Sequence, residues 1–264
     1  METPAPTWRW WTALRAVSVL NLLLWAACAA ALGAGREHGP AQLACSAVFV
    51  LVCGFRSFFP RVDLERTVMI DHPLSSIALG RSAATVAEMA FTVQSALALD
   101  ALGRAHGVAW IAPIAWAVVP LIAVAQLACW AAVVTLDHRG HALEEALWTV
   151  YVALVAAAFV GLWPTAAGGA LRGLLALGVV ACAGSAVLMA GVDVPMYVRR
   201  WREGRATGAR RLGLGEGLRD ALVRREPTRD WATWRHEVPW MSLYFSGGVW
   251  LSLLMAFAPL ADLR

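Results

Sequence analysis

Apolar residues run along this chain in long blocks, and they do not alternate with polar ones. Seven blocks stand out, near 16–34, 41–59, 74–99, 108–135, 142–163, 170–192 and 239–260. Short charged or Gly/Pro-marked breaks separate them, and Pro60, Pro73, Pro195 and Pro239 punctuate their ends. A hydrocarbon core of about 30 Å takes roughly 20 apolar residues of helix. The pattern therefore predicts an all-α, polytopic integral membrane protein with seven transmembrane helices in a single membrane domain. The second block is the weakest, because its apolar part, LACSAVFVLVCGF, is short and Arg56 follows it. One long polar stretch, 199–237, is left as a basic loop.

Composition agrees with lipid as the main solvent: 59% of the residues are hydrophobic, 15% are charged and the mean hydropathy is +0.61. The charge adds an orientation. All 22 basic residues are Arg, and if seven helices alternate, 17 of them fall on one side. Those are Arg9, Arg15, Arg56, Arg61, Arg66, Arg139 and the eleven between Arg199 and Arg235. The other side holds Arg36, Arg104, Arg172 and Arg264, and Arg81 lies inside the third block. By the positive-inside rule the amino terminus is cytoplasmic and the carboxyl terminus extracytoplasmic. The opening stretch TWRWWTALRAVSVLNLLLWAACAAALGAG has features of a signal peptide, whose cleavage would leave six helices. Near-spanning length and an interfacial anchor of Trp8, Trp10 and Trp11 favour a retained helix. The expected location is a plasma membrane or bacterial inner membrane.

Several chemistries drop out. Without Lys no retinal Schiff base can form. The six His lie at or beyond the block ends, which leaves no axial pair for a membrane haem. Cys28, Cys45, Cys53, Cys129 and Cys182 sit inside apolar blocks without CxxC or Cys/His zinc spacing, and read as small packing residues. No phosphate-binding Gly loop, GxSxG motif, internal repeat or nucleic-acid-binding module is present in the sequence. Between Arg199 and Glu237 eleven Arg face six acids, and Leu214, Leu218 and Leu222 recur every four residues beside Arg219, Arg224 and Arg225. That spacing predicts a short amphipathic helix on anionic headgroups.

The third block breaks the apolar rule. At 100° per residue Arg81, Thr85, Glu88, Thr92 and Ser95 fall within about 40° of one line. Lipid does not tolerate that face, so the stripe turns toward other helices or a wet cavity. Arg81 and Glu88 are two turns apart, about 10 Å along the axis, and meet only if Arg81 reaches along the helix. Gln94 points the other way, toward a neighbouring helix. Asn21, Gln126, Asp137, His138, His141, Glu144, Glu145, Asp193, Tyr197, His236 and Glu237 fall in the cytoplasmic half or at its edge, which predicts an inner-leaflet cavity. The candidate catalytic residues are Glu88, Asp193 and Arg81. His138, His141 and Glu145 share a helical face at i, i+3 and i+7; with His236 they form a candidate metal set, whose donors suit zinc or iron. Glu144, Glu145 and Glu237 also fit helix starts, where acids complement the helix dipole. Three functions follow: a membrane-embedded enzyme or binding protein for a lipid or other membrane-phase ligand, a proton-coupled transporter of a small anionic solute, or a scaffold docking a partner through the basic loop. No motif decides between enzyme and non-enzyme.

Overall fold

The computed structural model describes residues 6–32 and 39–258. The ends of the first and last predicted blocks, and Arg36 and Arg264 with the sides expected for them, lie outside the described residues. The chain folds as helices α1 (Pro6–Leu32), α2 (Gly39–Phe58), α3 (Ile77–Ala105), α4 (Ile111–Thr135), α5 (His138–Leu162), α6 (Gly169–Leu188), α7 (Val194–Ala206), α8 (Leu214–Val223), α9 (Trp231–Trp234), α10 (Val238–Ser242) and α11 (Val249–Phe257). Six stretches are long and apolar enough to cross a membrane: α1, α2, α4, α5 with its following turn, α6 continued into α7, and α10 continued into α11. The architecture is thus compatible with a multi-pass membrane protein. The third block does form a helix, α3, of 29 residues; it carries Arg81, Glu88, Asp100 and Arg104 and is not one of those six. Exposed Leu23, Leu127, Leu177 and Val187 make a surface that suits lipid.

Two interruptions are π-turns. Met189–Asp193 joins α6 to α7 just before Pro195, whose ring nitrogen cannot donate to the preceding turn; the wider turn absorbs that lost bond. Leu243–Gly248 joins α10 to α11, and there the Phe245 carbonyl accepts from Asn21 Nδ2 at 3.1 Å. Trp250 Nε1 donates to Asn21 Oδ1 at 3.0 Å, so an amide on α1 satisfies groups on two sides.

The chain divides into two compact units, with boundaries inside α3 and α8. The first comprises residues up to Gln94 and Leu218–Ala258. Its core gathers Trp11, Leu14, Phe49, Val50, Cys53, Met69, Ala87, Trp234, Met241, Phe245, Val249, Leu253 and Phe257. Gln94, wholly buried, donates to the Ser252 carbonyl at 2.8 Å and accepts from Ser252 Oγ at 2.8 Å, so the expected bond to another helix is made to α11. A feature the hydrophobic pattern does not reveal closes one end: β1 (Arg61–Val62) pairs antiparallel with β2 (Thr67–Val68), which pairs in parallel with β3 (Glu226–Pro227). Strands of two residues are too short to show alternation. They bind the segment after α2 to the polar loop, and Arg66 adds a 2.8 Å ion pair to Asp220.

The second unit comprises Ser95–Gly217. Here α4 and α5 form an antiparallel hairpin whose turn is Leu136–Asp137. Leu136 takes the left-handed conformation at φ 57°, and Asp137 caps α5 by accepting from the Arg139 amide. Gly140 fits against the Ala128 carbonyl and Ala132 of α4; a Cβ there would overlap both. This close approach sets the spacing of the helix ends.

Candidate functional site

Charge gathers inside the first unit. On α3 the stripe is turned inward: Arg81, Glu88 and Thr92 are buried and Thr85 is half-buried. Arg81 does reach along the helix, and its Nη2 donates to Glu88 Oε1 at 2.9 Å. The arginine side chain spans the two turns that separate the backbones. Tyr244, in the π-turn between α10 and α11, lies within the electrostatic reach of Glu88, Cys53, Arg56 and Arg81. It also packs its ring on Phe49 at 5.6 Å.

Arg56, in the last turn of α2, is only 6% exposed. Among the described residues no carboxylate or carbonyl accepts from its guanidinium, which lies over the rings of Phe245 at 5.4 Å and Trp240 at 5.9 Å. Arg61, just beyond it, is 1% exposed. Its Nη1 donates to the Ser76 carbonyl at 2.6 Å and its Nε to the Phe59 carbonyl at 3.0 Å, while Nη2 is buried without a hydrogen-bond partner. Burial, with the like charge of Arg56 beside it, pulls the Arg61 guanidinium down to about 10, so it stays cationic at neutral pH. Gly80 of α3 makes the room: any Cβ there would run into the Arg61 guanidinium. Around this place cluster aromatic groups typical of headgroup depth. Trp11 Nε1 donates to the Ser57 carbonyl at 3.1 Å, Arg15 covers the Trp11 ring at 4.1 Å and Trp10 lies 6.0 Å from Trp234.

A second polar cluster forms at the α4–α5 hairpin. His141 Nδ1 lies 2.7 Å from Glu144 Oε2 and 3.9 Å from Cys129 Sγ, and the ligand atoms of all three are within 4.8 Å of one another. The Tyr197 ring on α7 packs on the imidazoles, 5.1 Å from His141 and 6.0 Å from His138. At the turn, burial works against the Asp137 carboxylate. Hydrogen bonds from Arg139 and the charges of Arg139 and Arg211 outweigh burial and hold it below the ordinary range.

The residues singled out from sequence therefore separate. Arg81 and Glu88 form one pair in the first unit, whereas Asp193 is half-buried in the second, at the π-turn before α7. Of the candidate metal set, His141 joins a cluster and His138 stacks beside it on Tyr197. Among the described residues the set of mutually close ligands contains Cys129 and Glu144 and does not include Glu145. His236 belongs to the first unit, exposed, where its Nε2 accepts from Arg235. Sequence reasoning passed over Arg56, Arg61, Tyr244 and Cys129 as candidates. For Cys129 a signal existed: it stands seven residues before Leu136 and Glu144 seven after Asp137, positions that face each other across an antiparallel hairpin. For Arg56 and Arg61 none did, because boundary arginines ordinarily snorkel to water.

Compared with known families, curated proteins and solved structures, the chain matches no family model, no curated protein and no solved structure.

Proposed function

We propose that this is a membrane protein of the plasma or bacterial inner membrane that binds an anionic, phosphate-bearing ligand from the inner leaflet, with Arg56 and Arg61 as its cationic receptors. The observation that carries this reading is Arg56: a permanent cation, nine-tenths buried, with aromatic rings beside it and no described carboxylate to neutralise it. A buried charge without a partner is costly, and an anionic ligand would offset that cost. The neighbouring Arg61 Nη2, also without a hydrogen-bond partner, supplies a second donor, and two guanidinium groups suit a phosphate better than one. The tryptophans around α1 and α9 suit the depth of a headgroup.

In this reading α3 is a seventh span, its charges sheltered by the first unit. The amino terminus is cytoplasmic, the carboxyl terminus is extracytoplasmic, and the α2 end bearing Arg56 faces the inner leaflet. The exposed Leu214, Leu218 and Leu222 of α8, with Arg219, rest on anionic headgroups. Arg224 and Arg225 contribute less there, since they pair with Glu226 and Asp71. A reporter fused after Arg264 is expected to be active only outside the cytoplasm; cytoplasmic activity removes the seven-span arrangement.

Binding is tested with the full-length protein in nanodiscs of zwitterionic lipid. Added anionic phospholipid should raise its unfolding temperature, and Arg56→Met should abolish that rise. If inorganic phosphate gives the same rise, the ligand is a soluble anion; if only the lipid does, it is a headgroup. No response to either overturns the reading. The Glu88 carboxylate, held by Arg81 within reach of Tyr244, supports a second reading, a proton-coupled transporter of that anion. Glu88→Gln should then stop proton-driven uptake into proteoliposomes while anion binding persists.

A further inference from the structure

We infer that Cys129, His141 and Glu144 form a binding site for a divalent transition metal of the zinc class at the cytoplasmic end of the α4–α5 hairpin. The inference stands apart from the anion site, which lies in the other unit.

Three observations carry it. First, the three ligand atoms converge: they lie within 4.8 Å of one another, and a single nitrogen, His141 Nδ1, faces both the Glu144 carboxylate at 2.7 Å and the Cys129 sulfur at 3.9 Å. Zinc bonds of about 2.0–2.3 Å at tetrahedral angles separate such donors by roughly 3.3–3.6 Å. An ion among them needs the carboxylate and imidazole to part by about half an ångström and the sulfur to close in, by a few tenths toward the imidazole and by up to about 1.2 Å toward the carboxylate. Second, the donors are of mixed softness. A thiolate, an imidazole and a carboxylate together suit zinc, whereas magnesium and calcium seek oxygen alone. Third, the framework is rigid. Gly140 seats the first turn of α5 against the Ala128 carbonyl and Ala132, Asp137 caps that turn, and Tyr197 covers the imidazole. The three ligands come from two helices whose spacing is fixed by backbone contact, which is the preorganisation a metal site needs.

Binding balances simply. The Cys129 thiol loses its proton to solvent, Glu144 binds as the carboxylate, and His141 keeps one proton on Nε2 while Nδ1 binds the ion. Three protein ligands leave one tetrahedral position for water or a substrate atom.

The test uses the full-length protein in detergent, stripped with a chelator and titrated with cobalt(II), which reports thiolate ligation by a charge-transfer band in the near ultraviolet. One equivalent should saturate the band, and zinc should bleach it. Cys129→Ser should remove the band, and Glu144→Gln should weaken cobalt binding about 10-fold or more. Glu145→Gln and Cys182→Ser should change neither. Absence of the band in the parent protein overturns the site outright, whatever the folding of the variants. A band that survives Cys129→Ser, or that is lost on Glu145→Gln and not on Glu144→Gln, also overturns the assignment of these ligands.

Discussion

In the first unit Arg81 meets Glu88 at 2.9 Å, while Arg56 lies over the faces of Phe245 and Trp240 and, among the described residues, has no carboxylate hydrogen-bonded to it. In the second unit His141 shares its contacts between Glu144 and Cys129, and none of the three is a permanent cation. The difference lies in what each cluster can do alone. Imidazole, carboxylate and thiol satisfy one another by sharing protons, and they can exchange those protons for a metal ion. Guanidinium cannot be neutralised by losing a proton at ordinary pH, so a surplus of buried arginine is balanced only by an anion. The first cluster asks for a ligand charge; the second asks for a Lewis acid.

The sharpest way to break this comparison is to remove the buried carboxylate that pairs with Arg81 in the first unit. Glu88→Gln leaves Arg81 buried beside a neutral amide, and the loss of a buried partner costs about 3–5 kcal/mol. Thermal unfolding in detergent should show it as the largest single effect in the first unit. Arg81→Met combined with Glu88→Leu should recover most of the loss, because a pair removed together leaves no orphan charge. A Glu88→Gln protein as stable as the parent would mean that the pair contributes nothing.

Arg56 should behave in the opposite sense. Methionine keeps the contact with Trp240 and Phe245 and removes an uncompensated buried charge, so Arg56→Met in ligand-free detergent should gain about 1–3 kcal/mol. The same variant loses the response to anionic lipid. A destabilised Arg56→Met protein would show that the guanidinium is already neutralised, and the contrast with Arg81 would vanish.

In the second unit the corresponding lever is steric. Gly140→Ala pushes a methyl group into the Ala128 carbonyl and the Ala132 backbone, neither of which yields as a flexible side chain would. Overpacking of this kind costs about 1–3 kcal/mol, read by denaturation, with cobalt affinity lowered as the hairpin spreads. Gly184→Ala on α6, where a Cβ meets open space, is the control and should be near neutral.

What was legible in the sequence follows the range of the interaction. The six apolar stretches were legible because each is a long apolar block, and the α3 stripe because 100° per residue is a property of one helix. The Arg81–Glu88 pair needed only the further step of side-chain length. Burial of Arg56 and Arg61 was not legible, since it depends on the three short strands, on the niche at Gly80 and on α10 with its π-turn coming to lie against α2. The metal candidates were half legible. His141 belongs to the local helical pattern, but Cys129 and Glu144 become neighbours only when the turn at Leu136–Asp137 is placed. Glu145, the better member of the i, i+3, i+7 pattern, is not among the ligand atoms that converge with Cys129.

The smallest expected effect tests that turn. Asp137 accepts from the Arg139 amide at 3.1 Å and pairs with the Arg139 guanidinium at 2.7 Å and that of Arg211 at 3.5 Å. Its folded carboxyl is held below the ordinary range, so its stabilising contribution is fully present at neutral pH. That contribution is lost as pH falls below about 4, the unfolded value, and through the lower folded one. Asp137→Ala should cost about 1 kcal/mol at pH 7 through the lost cap. Asp137→Asn keeps the cap and loses only the ion pairs with exposed arginines, a loss of about 0.2–1 kcal/mol. The gap between parent and Asp137→Asn should narrow as the pH is lowered, because the parent then carries a neutral acid at the same place. Unfolding curves at two pH values measure that gap. A gap that widens in acid would reverse the sign of the linkage and remove the paired carboxylate as the anchor of the hairpin.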